Sequence, residues 1–117
     1  MRLPGPFAIT RVVESEGPFR APDFLLPDAV PARFAQTGCA HDARCYDAAS
    51  NKLIMGFYSL IVRTQRNVIL VDTCVGNDKE RPTLPDWHRR NGSFLTDLAA
   101  SGCPAESVTH VLCTHLH

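Results

Sequence analysis

Two apolar runs joined by a short polar turn constrain the fold of this 117-residue chain more than any other feature. Residues 53–63 read Leu-Ile-Met-Gly-Phe-Tyr-Ser-Leu-Ile-Val-Arg, and residues 68–71 read Val-Ile-Leu-Val. Short runs rich in β-branched residues are typical of buried strands, and a link of a few residues favours an antiparallel hairpin. Because the first run does not alternate cleanly, we expect it to be covered on both faces, as in a layered α/β structure.

A long loop and one helix are predicted between this hairpin and a third apolar run at residues 108–113. Residues 73–91 are polar and interrupted by glycine and proline, and loops of this length are usually functional or disordered. The loop leaves the end of a buried strand, which is where sites in α/β proteins tend to lie. Ser93 is placed as the N-cap of a helix over residues 94–101, and Gly102 ends it. The apolar face of this helix consists of Phe94, Leu95 and Leu98.

The N-terminal part of the chain divides into a strand and a proline-rich arm. Residues 7–15 contain a β-branched cluster that predicts a strand, and the Gly17-Pro18 pair is its expected boundary. Residues 17–31 hold several prolines but also apolar side chains, so we expect an ordered arm that packs on the domain. A short helix is predicted over residues 29–35, with Asp28 as its N-cap.

Composition indicates a globular protein without a strongly charged surface. Hydrophobic residues make up 44% of the chain and charged residues 21%, and twelve basic residues balance twelve acidic ones. No basic field therefore favours a nucleic-acid partner. No apolar run approaches the ~18–20 residues of a membrane helix, and the N-terminus lacks a signal-peptide pattern. We expect a cytoplasmic protein with no membrane partner.

The five cysteines are odd in number and none forms a Cys-x-x-Cys pair, which favours reduced thiols. Cys103 and Cys113 are expected to act as small apolar core or turn residues. Residues 39–45 read Cys-Ala-His-Asp-Ala-Arg-Cys and suggest a metal knuckle. Their spacing matches no standard zinc pattern, so we predict that residues 36–52 form a plain surface loop.

The third apolar run leads into a His-x-His pair, His115 and His117. In an extended backbone, residues two apart point to the same side, so both imidazoles can converge on one ion at ~2.0–2.1 Å. A zinc site usually takes three or four protein ligands, so this pair is a partial site. Cys113 continues the same parity and could add a sulfur ligand, but it lies inside an apolar strand. On the residues alone, a metal role and a chance placement of two histidines both remain open.

Asp72 ends the second apolar run and also has two interpretations. It can be an ordinary turn acid that bonds to the nearby backbone. It can equally be a carboxylate that orients a histidine or a ligand loop.

The order of these features resembles the metallo-β-lactamase superfamily. Residues 68–73 read Val-Ile-Leu-Val-Asp-Thr and residues 108–117 read Val-Thr-His-Val-Leu-Cys-Thr-His-Leu-His, with a helix between them. The family pattern is a strand ending in Asp-Thr, a helix, and a strand that opens into Thr-His-x-His-x-Asp-His. The chain is similar to it over residues 53–117 and matches the motif up to its second histidine.

The resemblance implies an α/β fold, specifically the N-terminal half of a four-layer αβ/βα sandwich. The chain would then be a single partial domain. Residues 1–52 supply its first strand and proline-rich arm, and residues 53–117 supply the sheet, the helix and the start of the metal motif.

The resemblance also implies roles for individual residues. His115 and His117 correspond to ligands of a first metal ion, which is zinc or another divalent metal, with one or two ions in the complete protein. Asp72 corresponds to a support for the metal loop. Cys74 stands where many members have glycine, so the local turn is expected to differ. His110 is expected to pack or to form a hydrogen bond rather than to bind metal.

The implied reaction is metal-assisted hydrolysis of a small-molecule ester, lactone, thioester or phosphoester. The loop around Trp87 and His88 lies where the family shapes substrate entry. By the family pattern an Asp and a His ligand fall just past residue 117, so we expect the 117-residue chain alone to be inactive. The alternative is a truncated, non-catalytic remnant or a small domain that binds a partner through an uncovered sheet.

Overall fold

A computed structural model describes residues 7–115 of the chain. The strands are β1 (Ala8–Arg20), β2 (Tyr46–Asp47), β3 (Lys52–Arg63), β4 (Val68–Val71) and β5 (His110–Leu112). The helices are α1 (Pro22–Leu25), α2 (Pro31–Phe34) and α3 (Phe94–Ala100), and single 3-10 turns occupy Gly38–His41, Pro85–Trp87 and Ala105–Ser107. Within the described range the strands form one mixed sheet in the order β1-β3-β4-β5, with β2 also paired to β3. The predicted α/β class is confirmed.

The predicted hairpin is formed by β3 and β4, which pair antiparallel from Leu60 opposite Val71 to Arg63 opposite Val68. Strand β5 then pairs parallel to β4, with Val71 opposite Leu112. Parallel neighbours need a crossover connection, and the long loop together with α3 provides it. As a result, the carboxyl ends of β4 and β5 lie side by side at one edge of the sheet.

The chain forms two compact units, one of Met1–Glu14 with Phe57–His117 and the other of Ser15–Gly56. The first unit holds the buried core, which consists of Val12, Ile61, Leu70, Phe94, Leu98 and Cys103. Ile61 and Leu98 are almost completely shielded from solvent. Burial of an aliphatic side chain of this size contributes about 1.5–3 kcal/mol. Apolar packing in this core therefore holds helix α3 against strands β3 and β4.

The expectation that β3 is covered on both faces is wrong for the residues that the structure describes. Ser59 and Ile61 are fully buried, whereas Tyr58 on the opposite face is 43% exposed. Successive strand residues point to opposite faces, and the core that includes helix α3 packs on only one of them.

Helix α3 confirms the prediction with one correction. Phe94 and Leu98 are buried, but Leu95 is 62% exposed. Phe94 and Leu98 are four positions apart and share one face, whereas Leu95 is rotated by about 100° from Phe94 around this short helix. The seven-residue helix therefore buries a narrower apolar stripe than its sequence suggests.

Both ends of α3 involve the predicted residues. Ser93 is the N-cap residue, but its hydroxyl donates to the Asp97 carboxylate at 2.6 Å instead of capping the backbone. Gly102 has φ +79°, a left-handed conformation. Its N–H donates to the Ala99 carbonyl at 2.9 Å, and the Cys103 N–H donates to the Leu98 carbonyl at 3.2 Å. These two bonds form a Schellman motif, so the predicted glycine stop is confirmed.

The N-terminal elements differ from the prediction at their boundaries. Strand β1 continues through Gly17 and Pro18 to Arg20, because proline is tolerated on an edge strand and β1 is an edge of the sheet. Helix α2 falls inside the predicted range, but Val30 rather than Asp28 is its N-cap, and Pro31 occupies the first helical position.

The cysteines are all free, as expected. Cys103 is a buried core residue, but Cys113 is exposed. Cys113 is therefore not a core residue, because it follows β5 and all three residues of that strand are themselves exposed. Among residues 7–115, no helix is long and apolar enough to cross a bilayer.

Candidate functional site

The candidate site lies where β4 and β5 end next to each other. Asp72 follows β4 directly, and its N–H donates to the Leu112 carbonyl at 2.8 Å, which extends the pairing of the two strands by one residue. Cys113, Thr114 and His115 follow β5. The parallel pairing therefore brings the Asp72 side chain to the segment that carries the first histidine of the motif.

The Asp72 carboxylate binds Thr114 through both of its oxygens. Oδ1 accepts the Thr114 backbone N–H at 2.8 Å, and Oδ2 accepts the Thr114 hydroxyl at 2.7 Å. Hydrogen bonds to an ionised acceptor are shorter and stronger than neutral ones. The Thr114 backbone bond, followed by the hydroxyl bond, holds the pKa of Asp72 below its ordinary value. Asp72 is therefore ionised at neutral pH.

The same hydroxyl connects Asp72 to His115. The Thr114 Oγ1 atom lies 2.8 Å from His115 Nδ1. A threonine hydroxyl has one proton, and here it is donated to the ionised Asp72. In this arrangement the Nδ1 atom of His115 is the donor to Oγ1. In the neutral ring, the lone pair then lies on Nε2.

The backbone of Asp72 is also held in an uncommon conformation. Its φ is +59°, in the left-handed region that aspartate tolerates better than most residues. The Ser59 hydroxyl on β3 donates to the Asp72 carbonyl at 2.6 Å, and Ser59 is fully buried. Asp72 is therefore positioned by hydrogen bonds at three points. Its N–H donates to Leu112, its carbonyl accepts from Ser59, and its carboxylate accepts from Thr114.

Cys74 shares this left-handed backbone, with φ +57°. Glycine adopts such a conformation without cost, whereas a residue with a Cβ does not. The Cys74 Sγ atom lies 3.3 Å from the Ser59 hydroxyl oxygen. Burial, as the largest cause, raises the pKa of Cys74, so it is a thiol at neutral pH. The residue is a packed turn residue rather than a reactive nucleophile.

Glu14 holds the loop that follows Asp72. Its two carboxylate oxygens accept the backbone N–H groups of Val75 at 3.0 Å and of Gly76 at 2.9 Å. Glu14 belongs to β1, more than sixty positions earlier in the chain. Sequence reasoning missed both Glu14 and Ser59, because an acid in one strand and a serine in another carry no motif.

The loop of residues 73–91 contains the predicted Trp87 and His88. The Trp87 ring meets Phe57 edge to face, with 5.9 Å between the ring centres. His88 Nδ1 accepts the Arg81 backbone N–H at 2.9 Å. Both side chains therefore stabilise the loop itself, and their proposed part in substrate entry stays a prediction.

The structure describes only some of the other predicted ligand candidates. His117 lies outside the described residues, and the metal role of His115 stays a prediction. His110 forms a 2.9 Å hydrogen bond between Nδ1 and the Thr109 hydroxyl, as expected. Over residues 7–115 the structure contains no group of three or more His, Cys, Asp or Glu side chains that could hold a metal ion.

Two solved structures are similar to the whole chain. One is a probable metal-dependent hydrolase from Staphylococcus aureus, with a TM-score of 0.71 and 14% sequence identity, aligned over 100% of this chain and 40% of that one. The other is the hydrolase AbOPH of the beta lactamase superfamily, with a TM-score of 0.54 and 19% identity, aligned over 99% of this chain and 35% of that one. This chain therefore spans about two fifths or less of the length of its structural neighbours.

At these low identities the likeness shows the fold alone. No protein-family model matches the sequence, and no curated protein matches it. The chain has part of the metallo-β-lactamase fold, as the sequence motif predicted.

Proposed function

We propose that this chain is the N-terminal part of a metal-dependent hydrolase with the four-layer αβ/βα sandwich of the metallo-β-lactamase fold. The observation that carries the proposal is the contact of the Asp72 carboxylate with Thr114 and, through its hydroxyl, with His115. Both structural neighbours are described as hydrolases, one of them as probably metal-dependent.

In this proposal His115 and His117 are metal ligands, and Asp72 is the support that orients the first of them. Histidines that bind metal ordinarily donate their second ring N–H to an outer group, which fixes the ring and raises its basicity. The Thr114 hydroxyl fills that role for His115, and the lone pair on Nε2 is the donor that a cation requires. The chemistry of these residues therefore fits a metal ion. We propose zinc, with one or two ions in the complete protein, since imidazole suits zinc well.

A bound divalent ion supplies hydroxide from water near neutral pH and polarises a carbonyl or phosphoryl oxygen. The residues of this chain would hold the metal-binding segment and the adjoining loop in place. Asp72 aligns Thr114 and His115, Ser59 holds the backbone of Asp72, and Glu14 holds the loop that follows. We propose a small-molecule ester, lactone, thioester or phosphoester as the substrate and the cytoplasm as the location.

The metal assignment is tested by titrating the 117-residue chain with zinc and following the imidazole signals by NMR. We expect the signals of His115 and His117 to shift, with weak affinity, and the response to disappear in the variant His115→Ala/His117→Ala. His110→Ala is the matched control, since His110 begins the strand β5 that leads to His115 but bonds to Thr109, and its variant should keep the response. Unchanged zinc affinity in the double variant would show that the assignment is wrong.

Hydrolysis is tested in a longer form of the protein, of a length similar to the structural neighbours. Dialysis against a chelator should abolish hydrolysis of a chromogenic ester or phosphoester, and added zinc should restore it. The 117-residue chain itself should show no turnover. Turnover that survives the double histidine substitution would contradict the proposed function.

A further inference from the structure

Two consecutive turns bring the thiols of Cys39 and Cys45 together in the unit Ser15–Gly56. The Asp42 N–H donates to the Cys39 carbonyl at 3.2 Å, and the Cys45 N–H donates to the Asp42 carbonyl at 2.8 Å. The chain thus folds back at Asp42, and the Cys45 side chain comes near enough to Cys39 to help raise the pKa of that thiol, after the larger effect of burial. Both cysteines are partly accessible to solvent.

Several further contacts hold this double turn in place. The Asp42 carboxylate accepts the Arg44 backbone N–H at 2.9 Å, and the Arg44 guanidinium donates to it at 2.7 Å. The Cys45 carbonyl accepts the Ile54 N–H of strand β3 at 2.8 Å. The His41 ring contacts the Ala35 carbonyl at 3.0 Å. A turn that is already ordered loses little further chain entropy when its ends are linked covalently.

We propose that Cys39 and Cys45 form a redox-active dithiol site that closes a reversible disulfide by exchange with a low-molecular-weight disulfide such as oxidised glutathione. The proposal does not depend on the hydrolase function, because it concerns the unit Ser15–Gly56 alone.

The exchange takes place in two displacement steps. The Cys45 thiolate attacks one sulfur of oxidised glutathione, the glutathione S–S bond breaks, and one glutathione thiolate leaves. The Cys39 thiol then loses its proton to water and attacks the Cys45 sulfur of the mixed disulfide, which releases the second glutathione thiolate. Two protein thiols are oxidised to one disulfide, and oxidised glutathione is reduced to two glutathione thiols.

The order of the two attacks follows from the surroundings of Cys39. Burial, followed by the contact with Cys45 and the charge of Asp42, raises the pKa of the Cys39 thiol. Since the thiolate is the nucleophile, Cys39 is the slower sulfur to attack an external disulfide. In the proposed exchange, Cys45 makes the first attack and Cys39 resolves the mixed disulfide.

The other cysteines have different surroundings. Cys103 is fully buried, and Cys74 is a partly buried thiol with a raised pKa. Cys113 is exposed and belongs to the other compact unit. The Cys113→Ser variant is therefore a suitable background for the experiment, because it removes the exposed thiol without touching the turn.

The experiment treats this variant with oxidised glutathione, blocks the remaining thiols and analyses the protein by mass spectrometry. We expect the loss of two free thiols and a mass decrease of two hydrogen atoms, both reversed by dithiothreitol. Trypsin cuts after Arg33, Arg44 and Lys52, so the disulfide should link the peptides 34–44 and 45–52. In Cys39→Ser, in the same background, glutathione should remain attached to Cys45.

Three results would overturn the proposal. The first is a disulfide that joins other cysteines or two chains, and the second is stable glutathione on both Cys39 and Cys45. The third is a 39–45 disulfide that forms no more readily in the native chain than in urea, since the folded turn would then contribute nothing.

Discussion

The two oxygens of the Asp72 carboxylate accept the backbone N–H and the hydroxyl of Thr114, a residue 42 positions later in the chain. These two hydrogen bonds join the ends of the parallel strands β4 and β5. The same Thr114 hydroxyl also contacts the His115 ring. In this chain, the aspartate at the end of β4 and the threonine before His115 are therefore structurally linked.

Replacing Thr114 with valine tests whether its hydroxyl supports a ligand. Thr114→Val keeps the shape and the backbone N–H but removes the link between Asp72 and His115. We expect zinc affinity to fall about 10–100-fold, as for other lost outer contacts of metal ligands. A competition assay with a chromophoric chelator measures it. Thr114→Ser, which retains the hydroxyl, should bind as the wild type does, and equal affinity in Thr114→Val would refute the link.

Ser59→Ala removes the hydroxyl that donates to the Asp72 carbonyl from the buried side of β3. This hydrogen bond is partly buried, and a typical intramolecular hydrogen bond contributes about 1 kcal/mol, so we expect the free energy of unfolding to fall by roughly that amount. Urea denaturation followed by circular dichroism measures the change. Thr96→Ala, which removes an exposed hydroxyl on α3, is the control and should change stability by less than about 0.5 kcal/mol. Equal effects of the two substitutions would exclude a structural role for Ser59.

Gly102→Ala should destabilise the chain through its backbone rather than by crowding. The nearest atom to an added Cβ is the Arg63 side-chain nitrogen at 4.0 Å, so space is available, but φ is +79°. The left-handed conformation costs a residue with a Cβ about 1–2 kcal/mol. Thermal unfolding should detect the loss. Gly38→Ala, at an open position without positive φ, should be neutral, and a neutral Gly102→Ala would mean that α3 does not require the left-handed turn.

The pair Asp42–Arg44 gives a prediction of pH dependence. The hydrogen bond from the Arg44 side chain lowers the pKa of Asp42 to about 2, below the ~3.9 of an unfolded chain. A carboxyl group with a depressed pKa stabilises the folded state above the unfolded value, and the stabilisation is lost as the pH falls through the folded value. Asp42→Asn should therefore lower stability at pH 7, with the difference from the wild type shrinking between about pH 4 and 2.

Urea denaturation of both proteins across this pH range measures the difference, which should be small because Arg44 is exposed and Asp42 is only partly buried. Asp28→Asn, on an exposed position of the same unit, serves as the control. A difference between wild type and Asp42→Asn that does not change with pH would contradict the prediction.

The sequence predicted the strands and helix α3 correctly where the apolar pattern and the turn residues indicate the same element. The hairpin of β3 and β4, the glycine that ends α3, and the strand that leads to His115 are all recognisable from runs of apolar residues and single turn residues. The errors lie where tertiary context decides. Leu95 is exposed because a short helix buries only a narrow stripe, and β1 passes through Pro18 because an edge strand tolerates it.

The α/β class, the order of the apolar runs and the motif that resembles the metallo-β-lactamase superfamily could all be predicted from the residues alone. These features depend on residues close together in the chain, whose spacing reflects local backbone geometry. The contacts by which Ser59, Glu14 and Thr114 hold Asp72 and its loop could not be predicted in this way and are seen only in the folded chain. Their partners are 13 to 62 positions apart, and such contacts arise only when the sheet brings separate strands side by side.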